Sequence, residues 1–193
     1  MASVKFPDHF SGVASDYAAY RPQYPVSLFA WLASQCRCKE IAWDCACGNG
    51  QASRPLGSHF RLVVGTDASP DQVSAAVGNE STRYVVAAAE EAPFADDTVD
   101  LVTVAQALHW FAGDAFFAEV RRIARPECVF AAWTYGMPHR LSEEIERLVH
   151  EFIEGPLGPY WPPEIRMVLD GYATLDLPFE ELKAPAFEMK VDW

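Results

Sequence analysis

An acidic residue followed by a loop of small residues is the part of the sequence best suited to ligand chemistry. The stretch IAWDCACGNGQAS, residues 41–53, runs from an apolar segment through Asp44 into the loop Ala46-Cys47-Gly48-Asn49-Gly50. A sharp turn from a strand into a helix exposes backbone N–H groups, which attract anions and polar ligand groups. Glycine at positions 48 and 50 leaves room for a ligand and permits a positive φ. The pattern predicts a loop that binds a nucleotide.

Two acids bear on which nucleotide this loop binds. Asp67 lies seventeen residues beyond Gly50 at the end of the next predicted strand, where a carboxylate can accept hydrogen bonds from two ribose hydroxyls. The spacing Gly48-x-Gly50-x-x-Ser53 is also close to the GxGxxG of dinucleotide-binding proteins. The loop alone is therefore also compatible with a dinucleotide site or with a purely structural turn. Asp44 favours another ligand, because a carboxylate repels a pyrophosphate but attracts an ammonium group.

Two later segments carry polar and aromatic side chains at the ends of predicted strands. Residues 88–102, AAEEAPFADDTVDLV, place a small and acidic turn after the third strand. Residues 105–111, AQALHWF, end the fourth strand with a polar and aromatic cluster. Ligands of open α/β sheets bind at the carboxyl edge of the strands. We therefore expect both segments to border the ligand site.

Alternating helical and apolar segments must position these residues. The predicted strands cover residues 41–45, 61–67, 83–89, 99–105 and 128–134, with a sixth over 187–193. The predicted helices cover residues 12–20, 25–35, 51–59, 69–78, 115–124 and 141–153. In the helix over 69–78, Ser69 is predicted as the N-cap, Pro70 as the first helical residue and Gly78 as the end. Apolar strands alternating with helices indicate an α/β fold with a doubly wound, mostly parallel, Rossmann-like sheet in three αβα layers.

The elements predict one domain over residues 1–193. Residues 1–38 form an N-terminal helical cover, 39–134 a cofactor-binding core, and 135–193 a lid with a partial C-terminal part. The sequence stops inside the sixth predicted strand, so we expect truncated C-terminal strands.

Composition restricts the class of protein and its partners. The net charge of -12 disfavours nucleic acid, because an acidic surface repels a phosphate backbone. No apolar run approaches the roughly 18 residues of a membrane span, and no signal-peptide core is present, so we expect a soluble, cytoplasmic protein.

The cysteines do not predict a metal site. Five cysteines fit a reducing compartment. The pairs Cys36/Cys38 and Cys45/Cys47 are spaced more closely than zinc ligands usually are. Strand alternation would point Cys45 and Cys47 the same way, into a tight loop. We expect packed free thiols and no metal.

Taken together, these residues resemble the class I S-adenosylmethionine-dependent methyltransferases. The resemblance covers residues 5 to about 135. The segments DHFSGVASDYAAYRPQYP and AQALHWF are similar, more narrowly, to the small-molecule branch that includes the trans-aconitate methyltransferases. The resemblance implies methyl transfer from S-adenosyl-L-methionine to a small-molecule acceptor, a carboxylate or another oxygen or nitrogen nucleophile, with S-adenosyl-L-homocysteine as product.

The resemblance also implies a set of cofactor-binding residues. The D/E-x-G-x-G-x-G loop of the family falls on Asp44, Ala46, Gly48 and Gly50, its ribose-binding acid on Asp67 and its adenine turn on residues 87–90. The full implied set is Tyr20, Arg21, Asp44, Ala46, Gly48, Asn49, Gly50, Asp67, Ala68, Ala89, Glu90 and Gln106.

The acceptor site is predicted less specifically. His109 is the candidate catalytic base, because imidazole titrates near neutrality, although a histidine packed beside Trp110 fits the sequence equally. A carboxylate acceptor needs no base. The candidate substrate contacts are Tyr17, Trp110, Tyr160 and Trp161. No D/N-P-P-Y/F motif follows the fourth strand, which argues against methylation of DNA base amines.

Two departures from the family pattern keep alternatives open. Ala46 replaces the first glycine of the loop, which is tolerated if φ is negative there. Ala88 replaces the acid that usually meets the adenine amine. A module that binds the cofactor without catalysis is therefore the alternative. An NAD(P)-dependent oxidoreductase is a weaker one, since it needs a catalytic Tyr/Lys pair that the sequence does not offer.

Overall fold

The computed structural model describes residues 23–135, 142–162 and 164–189. The helix predicted over 12–20 and the predicted site residues Tyr17, Tyr20 and Arg21 lie outside these ranges.

The described elements alternate between helix and strand through the core. The strands are β1 (Ile41–Cys45), β2 (Leu62–Asp67), β3 (Thr82–Val86), β4 (Val99–Ala105) and β5 (Ala124–Trp133). The helices are α1 (Val26–Gln35), α2 (Ser53–Leu56), α3 (Pro70–Ala75), α4 (Asp114–Ile123), α5 (Glu143–Glu154) and α6 (Ile165–Leu169). Two short 3₁₀ turns cover Leu108–Trp110 and Gly158–Tyr160.

The five strands form one sheet in the order β3-β2-β1-β4-β5, and every neighbouring pair is parallel. The carboxyl ends of all five strands therefore meet at one edge. Asp44 pairs with Gly65 on β2 and with Thr103 on β4, so it lies in the middle of the sheet near that edge. The predicted doubly wound parallel sheet is confirmed.

Helices pack on both faces of the sheet, which makes the three predicted layers. On one face, α1 joins strand residues in a first core cluster that includes Leu28, Phe29, Leu32, Ala42, Val63 and Leu101. On the other face, α4 contributes to a second core cluster that includes Trp43, Val102, Val104, Phe116, Val120 and Ile123. Burial of the central strands on both faces explains why their sequences are mostly apolar.

Several predicted boundaries differ from the structure. The strand over 99–105 and the N-cap role of Ser69, whose hydroxyl accepts from the backbone of Gln72, are confirmed. Gly78 does not end its helix, because α3 stops at Ala75. The helix predicted over 51–59 is regular only over α2, and residues 187–189 of the predicted sixth strand form no strand.

The helix predicted over 141–153 is observed as α5. Its N-cap is Ser142, whose hydroxyl accepts from the backbone N–H of Ile145. The apolar side chains Ile145, Leu148 and Phe152 remain exposed. Across the ranges that the structure describes, no helix is long and apolar enough to cross a membrane.

The five cysteines are free thiols, but Cys38 is exposed instead of packed. The predicted orientation of Cys45 and Cys47 is also wrong. Cys45 packs in the second core cluster. A Cβ atom placed on Gly65 would lie 2.9 Å from Cys47 Sγ, and Gly65 shares its face of the sheet with Val63 of the first core cluster. Cys45 and Cys47 thus point to opposite faces, because the left-handed backbone of Ala46 breaks the alternation. No group of three or more metal-ligating side chains occurs among the described residues.

Candidate cofactor site

The loop after β1 alternates between ordinary and left-handed backbone. Ala46, Gly48 and Gly50 have φ values of 54°, 53° and 87°. A negative φ, the condition under which the sequence tolerates Ala46, is therefore not met. An alanine in this region costs about 1 kcal/mol relative to a right-handed conformation, which is why glycine is common there. The chain keeps the loop geometry despite the methyl group.

Asp67 fastens this loop to the end of β2. Its Oδ2 accepts a hydrogen bond of 2.9 Å from the backbone N–H of Gly48, and its Oδ1 accepts one of 2.9 Å from that of Ser69. The backbone N–H of Cys47 donates to the carbonyl of Thr66 at 2.9 Å and adds a second link. These two bonds hold the Asp67 carboxylate between the glycine loop and the residues that follow β2.

The two glycines of the loop have different surroundings. A Cβ atom on Gly48 would have one neighbour within 4 Å, the side-chain oxygen of Gln72 at 3.6 Å. A Cβ atom on Gly50 would overlap the hydroxyl of Tyr84 and lie 2.7 Å from its Cζ. Gly50 is thus required by the protein's own packing, whereas Gly48 leaves an open surface that a ligand can approach. From the sequence, both glycines were predicted to make room for the ligand.

Asp44 is completely buried beneath the loop. Its carboxylate accepts hydrogen bonds from the hydroxyls of Ser53 on α2 and Thr103 on β4. Burial raises the pKa of Asp44 from its ordinary 3.8 to about 6, and the two hydroxyl bonds limit the rise. Asp44 thereby ties the loop, α2 and β4 together, and the protein encloses its side chain instead of presenting it at the surface.

We predict a pH dependence of stability that Asp44 causes. Because its folded-state pKa is raised, the folded protein binds more protons than the unfolded chain between pH 4 and 6, and stability is lost as pH rises through about 6. A shift of this size corresponds to about 3 kcal/mol. The unmodified chain should therefore lose about 3 kcal/mol of unfolding free energy relative to the Asp44→Asn variant as pH rises from 4 to 7. Urea unfolding of both proteins at each pH measures this difference.

The exposed Asp71→Asn variant is the control for this comparison. If the stability difference between the Asp44→Asn variant and the unmodified chain stays constant across that pH range, Asp44 does not titrate as described.

The turn after β3 is held in place while its side chains face solvent. The backbone N–H of Ala87 donates to the carbonyl of Asp67 at 3.1 Å, which links the turn to the end of β2. Glu119 on α4 accepts from the backbone N–H of Ala92 at 2.7 Å. Ala88 and Glu90 are exposed and Ala89 is half-buried. The predicted adenine turn therefore borders the same edge of the sheet as Asp67.

The end of β4 brings together residues from three parts of the chain. Gln106 has a φ of 60°, and its side-chain oxygen accepts from the hydroxyl of Thr134 at 3.0 Å. His109 is buried, with its ring 4.7 Å from that of Trp110 and its Nδ1 3.2 Å from the hydroxyl of Tyr172. Burial lowers the pKa of His109, so the imidazole is neutral at pH 7. The sequence did not identify Thr134 or Tyr172, because neither contact leaves a local pattern.

The remaining predicted site residues lie in different environments. Asn49 is half-buried in the loop, and Ala68 is exposed beside Asp67. Tyr160 and Trp161 are 85% and 41% exposed in and after the second 3₁₀ turn.

Comparison with known proteins shows the family. A sequence profile described as "Methyltransferase domain" matches residues 43–132. A Dictyostelium discoideum protein named as a methyltransferase is 33% identical over 180 residues, which cover 92% of this chain and 68% of that protein. A Saccharomyces cerevisiae protein named as an S-adenosylmethionine-dependent methyltransferase is 28% identical, over 65% of this chain and 46% of its own length.

A solved structure gives the same result at the level of the fold. The Anaeromyxobacter dehalogenans protein, named as a type II methyltransferase, is 43% identical and superposes with a TM-score of 0.80. The superposition covers 88% of this chain and 72% of that one. The chain belongs to the S-adenosylmethionine-dependent methyltransferases with the class I, Rossmann-like fold.

Proposed function

We propose that this chain transfers a methyl group from S-adenosylmethionine to a small-molecule acceptor, as its resemblance to the trans-aconitate methyltransferase branch implies. The observation that carries the proposal is the Asp67 carboxylate, held between the glycine loop and the start of α3 by the backbone of Gly48 and Ser69. A carboxylate at this place suits the two ribose hydroxyls of the cofactor. The net charge of -12 disfavours a nucleic acid as acceptor.

The residues at the edge of the sheet fit the cofactor. Gly48 leaves the loop open, so the methionine part of the cofactor can approach the backbone closely there. Asp67 would hold the ribose, while Ala68, Ala89 and Glu90 would border the adenosine. Ala46, Asn49 and Gly50 would shape the loop against the cofactor, and Asp44 would support it from below. Tyr20 and Arg21, outside the described residues, are proposed to close over the site.

The chemistry asks mainly for alignment of the acceptor. S-adenosylmethionine, when bound, supplies a methyl group already activated by its sulfonium. The protein then has to hold the acceptor in line with that methyl group and exclude water. Tyr17 and Trp110, with Tyr160 and Trp161, are the proposed acceptor contacts.

His109 is proposed as a base only for an acceptor that carries a proton. A buried, neutral imidazole can accept a proton, and the hydroxyl of Tyr172 beside Nδ1 would orient the ring. A carboxylate acceptor is already a nucleophile and needs no such step.

His109→Gln should therefore slow transfer to an alcohol or amine by about 100-fold or more and leave transfer to a carboxylate nearly unchanged.

Transfer of a labelled methyl group tests the proposal. The 193-residue chain is incubated with methyl-labelled S-adenosylmethionine and separate pools of small acids, alcohols and amines, with duplex DNA as a control. We expect label in one small-molecule pool and none in DNA. Cofactor binding without transfer to any pool would favour the binding module instead.

A further inference from the structure

Within the described residues, two buried side-chain nitrogens have no hydrogen-bond partner. They are Nε2 of Gln106 and Nε1 of Trp133. A buried N–H group without a partner costs about 1–3 kcal/mol, so folded proteins rarely leave one unpaired. These two donors call for an acceptor that the described residues do not supply.

Both donors lie at the carboxyl edge of the sheet, on neighbouring strand ends. Ala105 pairs with Trp133 in the β4–β5 register, and the backbone N–H of Gln106 donates to the carbonyl of Trp133 at 2.9 Å. This edge also carries the glycine loop and Asp67. The two residues therefore lie at the same edge of the sheet as the candidate cofactor site.

Each donor is held in a fixed orientation. The hydroxyl of Thr134 binds Oε1 of Gln106 at 3.0 Å, which directs Nε2 to the opposite side of the amide group. The backbone of Gln106 is left-handed, with a φ of 60°, and such strain in a non-glycine residue occurs often at functional sites. Trp133 packs edge-on against Tyr24 and Phe29, with ring centres 5.5 and 6.4 Å apart. Neither donor can easily turn away to reach water.

We propose that Gln106 Nε2 and Trp133 Nε1 bind a carbonyl or carboxylate oxygen of the methyl acceptor. Both groups only donate, so they suit an oxygen with lone pairs and disfavour an amine or ammonium group at the same place. This inference rests on the proposed function, and it gives Gln106 a contact with the acceptor in place of the cofactor contact that the resemblance implies. The methionine carboxylate of the cofactor has the same chemistry, so the test must separate the two sources.

The indole N–H of Trp133 provides a direct readout. The chain has six tryptophans, and Trp133→Phe identifies the resonance of Trp133 in a spectrum of ¹⁵N-labelled protein. S-adenosylhomocysteine is added first, followed by acetate, acetamide or methylamine. These probes are small enough that the shape of the pocket matters little. We expect the Trp133 resonance to move downfield with acetate and acetamide in the cofactor-product complex and to stay in place with methylamine.

Variants separate the hydrogen bond from general effects. Gln106→Glu replaces the donor with an acceptor of the same shape and should weaken the acetate effect by about tenfold or more. Gln35→Glu adds the same charge at an exposed position on α1 and should change nothing. Trp31→Phe, in the same core cluster, controls for loss of an indole ring.

Three results would overturn the inference. The Trp133 resonance could move with S-adenosylhomocysteine alone and not with acetate, which would assign the donors to the cofactor. It could stay in place with both acetate and acetamide. Gln106→Glu could leave the acetate titration unchanged. Failure of S-adenosylhomocysteine to bind at all would show separately in the other resonances, and the proposed function would fail with it.

Discussion

Replacing Asp67 with asparagine is expected to weaken the binding of S-adenosylhomocysteine by about 100-fold. The substitution keeps the size of the side chain but removes the charge and turns one acceptor into a donor. That donor would face the backbone N–H of Gly48 or Ser69, which now donates to Asp67. The variant thus loses charged hydrogen bonds to the ribose and a fixed position of the loop. Calorimetric titration measures the first effect and thermal unfolding the second.

Asp71→Asn is the matched control for this variant. Asp71 lies four residues further along the chain, in the first turn of α3, with its side chain exposed. The Asp71→Asn variant should bind S-adenosylhomocysteine with the same affinity as the unmodified chain. Equal affinity of the Asp67→Asn variant and the unmodified chain would remove Asp67 from the cofactor site, even if the variant were less stable.

Gly50→Ala is expected to destabilise the folded chain by about 2–4 kcal/mol. The new methyl group would overlap Tyr84, and a φ of 87° is unfavourable for alanine. Tyr84 also lies over Gly65, where a Cβ atom would come within 2.7 Å of its ring. The ring therefore packs against both glycines, and the new methyl group would displace it. Urea unfolding should show the loss directly.

Gly48→Ala separates packing from ligand binding. Gly48 also has a left-handed backbone, with a φ of 53°, but its Cβ position is open. This variant should lose only about 1 kcal/mol of stability, yet bind S-adenosylhomocysteine much more weakly because the methyl group occupies the ligand's approach. If Gly48→Ala binds normally, the ligand does not approach the loop there. If Gly50→Ala is as stable as Gly48→Ala, Tyr84 does not impose the glycine.

The central fold could be predicted because its signals are local. Apolar runs ending in acids or small residues predicted β1, β2 and β4, and the bounds of β1 and β4 match residue for residue. The Ser69 cap and Pro70 marked the start of α3 for the same reason, since a cap depends on neighbours three residues away. The helix after the glycine loop was overestimated, because helical composition over 51–59 does not show where turns replace regular hydrogen bonds.

The contacts inside the site could not be predicted, because they join distant parts of the chain. Asp44 and Thr103 are 59 residues apart, and His109 and Tyr172 are 63 apart. Neither pair produces a spacing that one sequence reveals. The left-handed Ala46 was missed for a different reason, since alanine alone gives no sign of positive φ and the surrounding bonds impose it. The sequence predicted that the ligand site lies at the carboxyl edge of the sheet, but it did not predict the hydrogen bonds between side chains there.

Calorimetric titration of the unmodified 193-residue chain with S-adenosylhomocysteine, and separately with NADH, shows which cofactor the site at the carboxyl edge binds. Both ligands carry an adenosine whose ribose Asp67 could hold, but a pyrophosphate would lie close to the acids at this edge of the sheet. We predict saturable binding of S-adenosylhomocysteine and none of NADH. Binding of NADH without binding of S-adenosylhomocysteine would contradict the assignment of this site to the methyltransferase cofactor.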